Sequence, residues 1–282
     1  YTSKGLKKFL KDMVETDVEV LGSTENFERS YHLGSFCISI SCQILQNKKL
    51  KSYWRKYKLT DIRPVVIRRG EMGLTKALKK CISSDLNYQA LLNVSHFLKS
   101  VEANPSIIDF YLQNQRSSER ITTWKKVSAK SIVNLISKKY LFDHNKESKN
   151  GFMISEIDHK LFDAYYLNTV DDIMVFLKSI TSDKTCPDRD LVKNIIVAEL
   201  GEAFISGSQV HQNAPILLNI GLPFVKLDGQ YRGAFNQEDI YNITRQLNKI
   251  EAGELQYLLS NRPYGGTTLV SWKLTAFMRG LI

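Results

Sequence analysis

Residues 31–81 restrict the possible folds more than any other part of the chain. Residues 32–41 alternate small or polar side chains with Leu33, Phe36, Ile38 and Ile40, the composition of a strand buried on at least one face. Residues 47–57 carry Leu50, Tyr53, Trp54 and Tyr57 at helical spacing. A helix there can lay its aromatic side on the sheet while Lys48, Lys49, Lys51, Arg55 and Lys56 stay in water. Pro64 disfavours the helical region for its predecessor, and Val65-Val66-Ile67 is a β-branched run that predicts a second strand ending at Arg68-Arg69-Gly70. Residues 72–81 return to a helical period with Leu74, Ala77, Leu78 and Cys81 inward. Glu71 is thereby expected at a strand-to-helix junction. The two strands, joined through a helix, are expected to lie parallel with a right-handed crossover.

In open α/β sheets, strand carboxyl ends and helix amino ends converge on one ligand-binding crevice. A carboxylate at such a junction is kept ionised by the helix dipole, and an ionised carboxylate can accept the proton of an attacking hydroxyl. The same position also suits a plain cap of the first helical turn.

The order His32-Leu33-Gly34-Ser35-Phe36, Tyr53-Trp54, Val66-Ile67 and Glu71-Met72-Gly73-Leu74-Thr75 resembles the glycosyltransferases of the rhamnan synthesis F type, which build bacterial surface polysaccharides. Gly34 stands where that family usually has Gln, and Tyr53 where it usually has Phe. A second block, His211-Gln212-Asn213-Ala214 followed by Gly221-Leu222-Pro223-Phe224-Val225-Lys226, is similar to another element of the family. The resemblance implies an α/β fold with a GT-A-like, Rossmann-related portion and a nucleotide-sugar donor. In proteins of this kind the donor-binding strands and an acidic metal motif lie upstream of the His32 block. A chain beginning at Tyr1 can then be the larger carboxyl-terminal part of a longer enzyme.

A chain of 282 residues can bury a sizeable core as one large domain or two small ones. The net charge of +10 calls for anionic company: a nucleotide diphosphate, an anionic polymer or the cytoplasmic face of a membrane. Basic residues are spread over several amphipathic helices without a recognised nucleic-acid motif, so nucleic acid is not expected. Cys37, Cys42, Cys81 and Cys186 show neither a CxxC pair nor metal-ligand spacing, which suits a reducing compartment. No apolar run reaches the length of about twenty residues that spans a bilayer, and the first residues lack a signal-peptide layout. A cytoplasmic location, extending to peripheral association with the inner face of the membrane or with a larger synthase, is expected.

Taken in order, residues 3–14 predict a helix with Leu6, Phe9, Leu10 and Met13 on one stripe, residues 17–21 a short strand, and residues 22–26 a loop. Residues 85–101 read as helix, with Leu86, Leu91, Leu92, Phe97 and Leu98 inward, and Asn104-Pro105 as a break. From 106 to 200 the pattern stays mainly helical, with 143–151 the most loop-like connector. The expected division is a sheet portion over 1–104, a helical insertion over 105–205, and a carboxyl-terminal block over 206–282 that folds back on the first part. Asp188-Arg189-Asp190 has the form that shares a divalent cation with a sugar nucleotide. Pro187 and the periodic run from Leu191 instead favour a helix cap at Asp188. Asp171-Asp172 likewise opens a helical run, and Asp158-His159 with Asp163 lacks the second His of a convincing metal site.

Lys226, Tyr231 and Arg232 place positive charge and donors within seven residues, a set that suits a diphosphate, although a surface loop pairing Asp228 with Arg232 would use the same residues. Taken with Glu71, the resemblance implies a glycosyltransferase acting on a growing surface polysaccharide, with Glu71 as general base. His32, Ser35, Arg69, His211, Lys226, Tyr231 and Arg232 are expected on the donor side. A divalent cation, Mg or Mn, is the cofactor this chemistry can call on. The alternative is a non-catalytic interaction module or scaffold within a polysaccharide-synthesis assembly.

Overall fold

The computed structural model describes residues 3–27, 30–60, 62–113, 129–137, 167–181, 186–205, 210, 214–226 and 237–260. The protein is mixed α/β, with a small mixed sheet and many helices. It divides into two compact units, one of residues 1–97 with 205–282 and one of residues 98–204.

The first unit is built on strand β1, Val20–Asn26, whose first six residues are all buried. The loop expected over 22–26 is thus part of the central strand. Burial on both faces hides the period-two alternation that would have revealed it. Strands β2, His32–Leu33, and β3, Ile38–Ile40, share one edge of β1, both antiparallel to it. On the other edge lies β4, Tyr88–Leu92, parallel to β1.

The single strand expected over 32–41 is present in two pieces. Between the pairs Glu25↔Leu33 and Gly22↔Ile38, β1 spends two residues and its partner four. The two extra residues bulge outward, while Gly34 N–H donates to the Thr24 carbonyl at 2.8 Å and Ser23 N–H to the Cys37 carbonyl at 2.9 Å. A bulge of this kind re-aims side chains at a sheet edge, and here it carries Ser35. Gly34 is required: a Cβ there would stand 2.7 Å from both Thr24 Oγ1 and Phe36 Cε1.

Helix α1, Ser3–Val14, buries Phe9 and Met13, whereas Leu10 of its expected stripe is half-exposed. Helices α2, Cys42–Gln46, and α3, Lys48–Lys56, are capped by the side chains of Ser41 and Asn47. α3 buries Leu50, and Trp54, expected against the sheet, is half-exposed and packs edge-on to Tyr53 and Tyr57.

The second strand expected at Val65–Ile67 does not form. Residues Arg63–Val66 make a helical turn, α4, which continues into a π-helical turn over Ile67–Met72 and then α5, Gly73–Lys79. Pro64 sits in the first turn, where its missing N–H costs nothing. The β-branched run is a weak preference that tertiary packing overrides. Glu71 therefore lies inside a helix, and the parallel crossover between the His32 strand and a Val65 strand is replaced by the β1–β4 pairing.

The helix expected over 85–101 is also corrected. Leu86 is exposed, β4 follows, and α6, Val94–Ala103, starts only after Asn93. The Asn93 side chain accepts from His96 N–H at 2.9 Å and donates to the Ala90 carbonyl, stopping the strand and starting the helix. The core of this sheet gathers Val20, Leu33, Ile44, Leu50, Leu78 and Ala90.

In the same unit, α11, Ala214–Asn219, ends at Gly221, whose φ is +115°. Leu222 N–H donates to the Leu217 carbonyl and Gly221 N–H to that of Leu218, the paired bonds of a glycine-terminated helix. Phe224 then packs edge-on against Phe9 and Phe36, with centroids 5.3 and 5.5 Å away. Helices α12, Gln237–Thr244, and α13, Lys249–Ser260, complete the described part of this unit.

The second unit is helical in its described residues: α7, Ser106–Gln113; α8, Ala129–Ile136; α9, Val170–Ile180; and α10, Arg189–Ile205. Thr169 and Asp172 form a capping box at α9, and Asp109 on α7 accepts from Val170 N–H at 3.0 Å. Asp188 accepts from Leu191 N–H at 2.7 Å as the cap of α10.

Candidate functional site

Three of the expected site residues meet at the edge of the first unit's sheet. Ser35 Oγ, on the bulge, donates to Glu71 Oε1 at 3.0 Å. His32 Nε2, on β2, lies 3.5 Å from Glu71 Oε2. Glu71 is aimed at them by the π-helical turn, in which Gly73 N–H reaches back to the Arg68 carbonyl, one residue beyond the α-helical partner. Such turns free carbonyls from the helical ladder and recur at functional sites. The freed Arg69 carbonyl is satisfied by Tyr53, whose hydroxyl donates to it at 2.7 Å and also contacts Gly70 O. Below the turn, α5 is tied to the sheet by the buried Thr75–Tyr88 hydroxyl pair at 2.9 Å.

The His32 ring is only 3% exposed and sits between two acceptors. Nδ1 lies 2.7 Å from the Ser30 carbonyl and Nε2 faces the carboxylate. A neutral imidazole has one N–H and can satisfy only one of them, while the imidazolium donates to both. His32, followed by the Ser35 hydroxyl and the charge of Lys226, holds the Glu71 carboxyl below the ordinary carboxylate range, against the upward push of partial burial. The Glu71 side chain keeps 26% of its surface exposed.

Lys226 acts on Glu71 from the segment after Gly221, which Phe224 anchors. Arg69 points elsewhere, onto an open groove between α3 and the Arg68–Lys80 side of the helix. His211, Tyr231 and Arg232 lie outside the described residues, as do Asp158, His159 and Asp163.

Glu25 was missed, because a residue assigned to a loop does not announce a buried carboxylate. It is 6% exposed and accepts from Val94 N–H at 2.8 Å, at the amino end of α6. Burial pushes its pKa up, countered by that N–H and by the Tyr31 hydroxyl. The signal that could have found it is the sequence Asn93-Val94 following an apolar strand, a helix start that an acidic side chain would complete. Among the described residues no group of three or more His, Cys, Asp and Glu side chains could hold a metal ion. Asp171 is instead paired with Arg189 at 3.0 Å.

No family model matches the chain, and no match is found among curated proteins or solved structures. Among the described residues no helix is long and apolar enough to cross a membrane.

Proposed function

We propose that this chain is a glycosyltransferase of GT-A-like type, or the larger part of one, moving a sugar from a nucleotide-sugar donor to a growing surface polysaccharide. The observation that carries the proposal is the Glu71 carboxylate, partly exposed and held ionised between His32 and Ser35, with the charge of Lys226 acting on it. The resemblance of these same residues to rhamnan synthesis enzymes supports the choice of reaction.

In the transfer, an acceptor hydroxyl oxygen bonds to the anomeric carbon as the bond from that carbon to the diphosphate oxygen breaks. The hydroxyl proton passes to Glu71, and the diphosphate leaves with the electron pair. A carboxylate with a low pKa is a modest base, but the hydroxyl becomes strongly acidic only as its oxygen bonds to carbon. Glu71 therefore needs chiefly to be ionised and aimed. His32 is a positioning residue, since its buried ring reaches no ligand. Lys226 meets the developing charge of the diphosphate. Glu25, enclosed and pinned to Val94, is unsuited to the same role.

The test is calorimetric titration of the full chain with a panel of nucleoside diphosphates. Binding of at least one is expected, weakened in Lys226→Ala by roughly tenfold, as loss of a charge-assisted contact implies, with melting temperature unchanged. Absence of binding across the panel would move the protein to the class of interaction modules.

A further inference from the structure

A second site lies on the outer side of the helices that carry Glu71, in an open groove of about 1050 Å³. Eight of its thirteen lining residues are Lys or Arg and none is acidic. One wall is the face of α3 that carries Lys48, Lys49 and Lys56; the other carries Arg69, Lys76 and Lys80, with Lys58 and Arg68 at the margin. Small residues, Ser52, Gly73 and Ala77, make up the space between, and Tyr53 and Tyr57 line the same groove. Among the described residues none of the eight cations pairs with a carboxylate; Lys49 Nζ contacts only the Lys80 carbonyl, at 3.4 Å.

Charge recurs along both walls. Arg69 and Lys80 are eleven positions apart, which is about 16 Å of helix. A single phosphate or diphosphate can engage two or three such partners, whereas cations repeated on two walls over that length match a ligand with several anionic groups in a row. The shape narrows the class further. A flat lipid surface meets protruding cations and does not reach between two helices. Nucleic acid without sequence preference uses free aromatic faces for base stacking, but Tyr53, Trp54 and Tyr57 pack on one another and the Tyr53 hydroxyl is committed to the Arg69 carbonyl. What remains is a slender, hydroxylated chain bearing regular negative charge.

We propose that this groove binds the acceptor strand, and that the acceptor is an acidic glycan bearing phosphodiester or uronate groups. The proposal rests on the transferase reading for the word acceptor, but not for the binding itself. Cations on the Arg69 wall hold the strand one helix face away from Glu71, so that its growing end can turn toward the carboxylate while the rest of the chain stays anchored.

The experiment measures binding of the full chain to four probes by fluorescence anisotropy over a range of salt: poly(glycerol phosphate), polygalacturonate, oligo-dT and phosphatidylglycerol vesicles. Lys56→Glu with Lys76→Glu reverses charge on both walls, and Lys7→Glu with Lys8→Glu makes the same charge change on exposed positions of α1. The expected result is salt-sensitive binding of one of the two acidic polymers, weakened roughly tenfold or more by the groove pair and little changed by the α1 pair. Which polymer binds identifies the anionic group. Failure of both polymers, an equal loss in both double variants, or tighter groove-dependent binding of oligo-dT or vesicles would overturn the proposal. Polymer binding without any sugar transfer by the wild-type chain would remove the transferase reading and leave the groove. Transfer that is undiminished in the groove pair would do the reverse.

Discussion

At the scale of single residues, the site turns on Glu71 and its two neighbours. Glu71→Gln keeps the shape of the side chain and leaves no partner stranded. The Gln amide can donate to Nε2 of a neutral His32 whose Nδ1–H still meets the Ser30 carbonyl, and Ser35 can still donate to the Gln oxygen. The variant should therefore stay folded. Because the folded-state pKa of Glu71 is lowered, its ionised form contributes stability above the unfolded carboxylate value, near pH 4.3. That contribution is lost as pH falls through the lowered folded value. Denaturant unfolding across pH should accordingly show a gap between wild type and Glu71→Gln that closes at acid pH; a constant gap would mean that Glu71 has no favoured ionised state. For His32→Asn the acid limb of the pH–rate profile should move up, with kcat falling and KM little changed. An unshifted limb would remove His32 as the residue that sets the base. The candidacy of Glu71, His32 and Ser35 was legible from residue type and order. The strand-to-helix junction expected at Glu71 is instead a π-helical turn, which depends on backbone bonds that no local pattern of side chains reports.

At the scale of elements, the site depends on two irregularities, the bulge after β2 and the π-helical turn before α5. Gly34→Ala puts a methyl group 2.7 Å from Thr24 Oγ1 on the buried central strand. It should cost about 1–3 kcal/mol of stability, as overpacking does, read from the urea midpoint; a cost near zero would show that the bulge relaxes freely. Tyr53→Phe removes the hydroxyl that holds the Arg69 carbonyl. A loss of roughly 0.5–1.5 kcal/mol is expected, together with a larger proportional loss of transfer, because the turn that aims Glu71 is loosened. Equal losses in stability and transfer would deny the turn that role. Gly34 and Tyr53 are the two places where the sequence departs from the pattern it resembles, and both contact an irregularity. Helices α1, α3, α9 and α10 were readable because each carries a strong apolar period or cap, as Asn47, Thr169 and Asp188 show. β1 and β4 were not readable as strands over their full lengths. β1 is buried on both faces, and β4 is five residues set between a 3₁₀ turn and a helix, so its identity comes from pairing with a partner more than sixty positions earlier.

At the scale of the whole molecule, the division into a unit of residues 1–97 with 205–282 and a helical unit of residues 98–204 means that the sheet unit is assembled from both ends of the chain. Within that unit Phe224 wedges between Phe9 and Phe36 and brings Lys226 into range of Glu71. The site thus joins residues almost two hundred positions apart, a relation that local sequence patterns do not carry and that only the similarity of the Gly221–Lys226 block suggested. The measurement that bears most directly on the account is sugar transfer from a panel of nucleotide sugars to an acidic glycan acceptor, by the wild-type chain and by Glu71→Gln, with melting temperature recorded for both. The expected result is transfer by the wild type from at least one donor, reduced by about a hundredfold to ten-thousandfold in the variant at closely similar melting temperature. Turnover of the variant at the wild-type rate would contradict the assignment of Glu71, and no transfer by either protein from any donor would contradict the transferase itself.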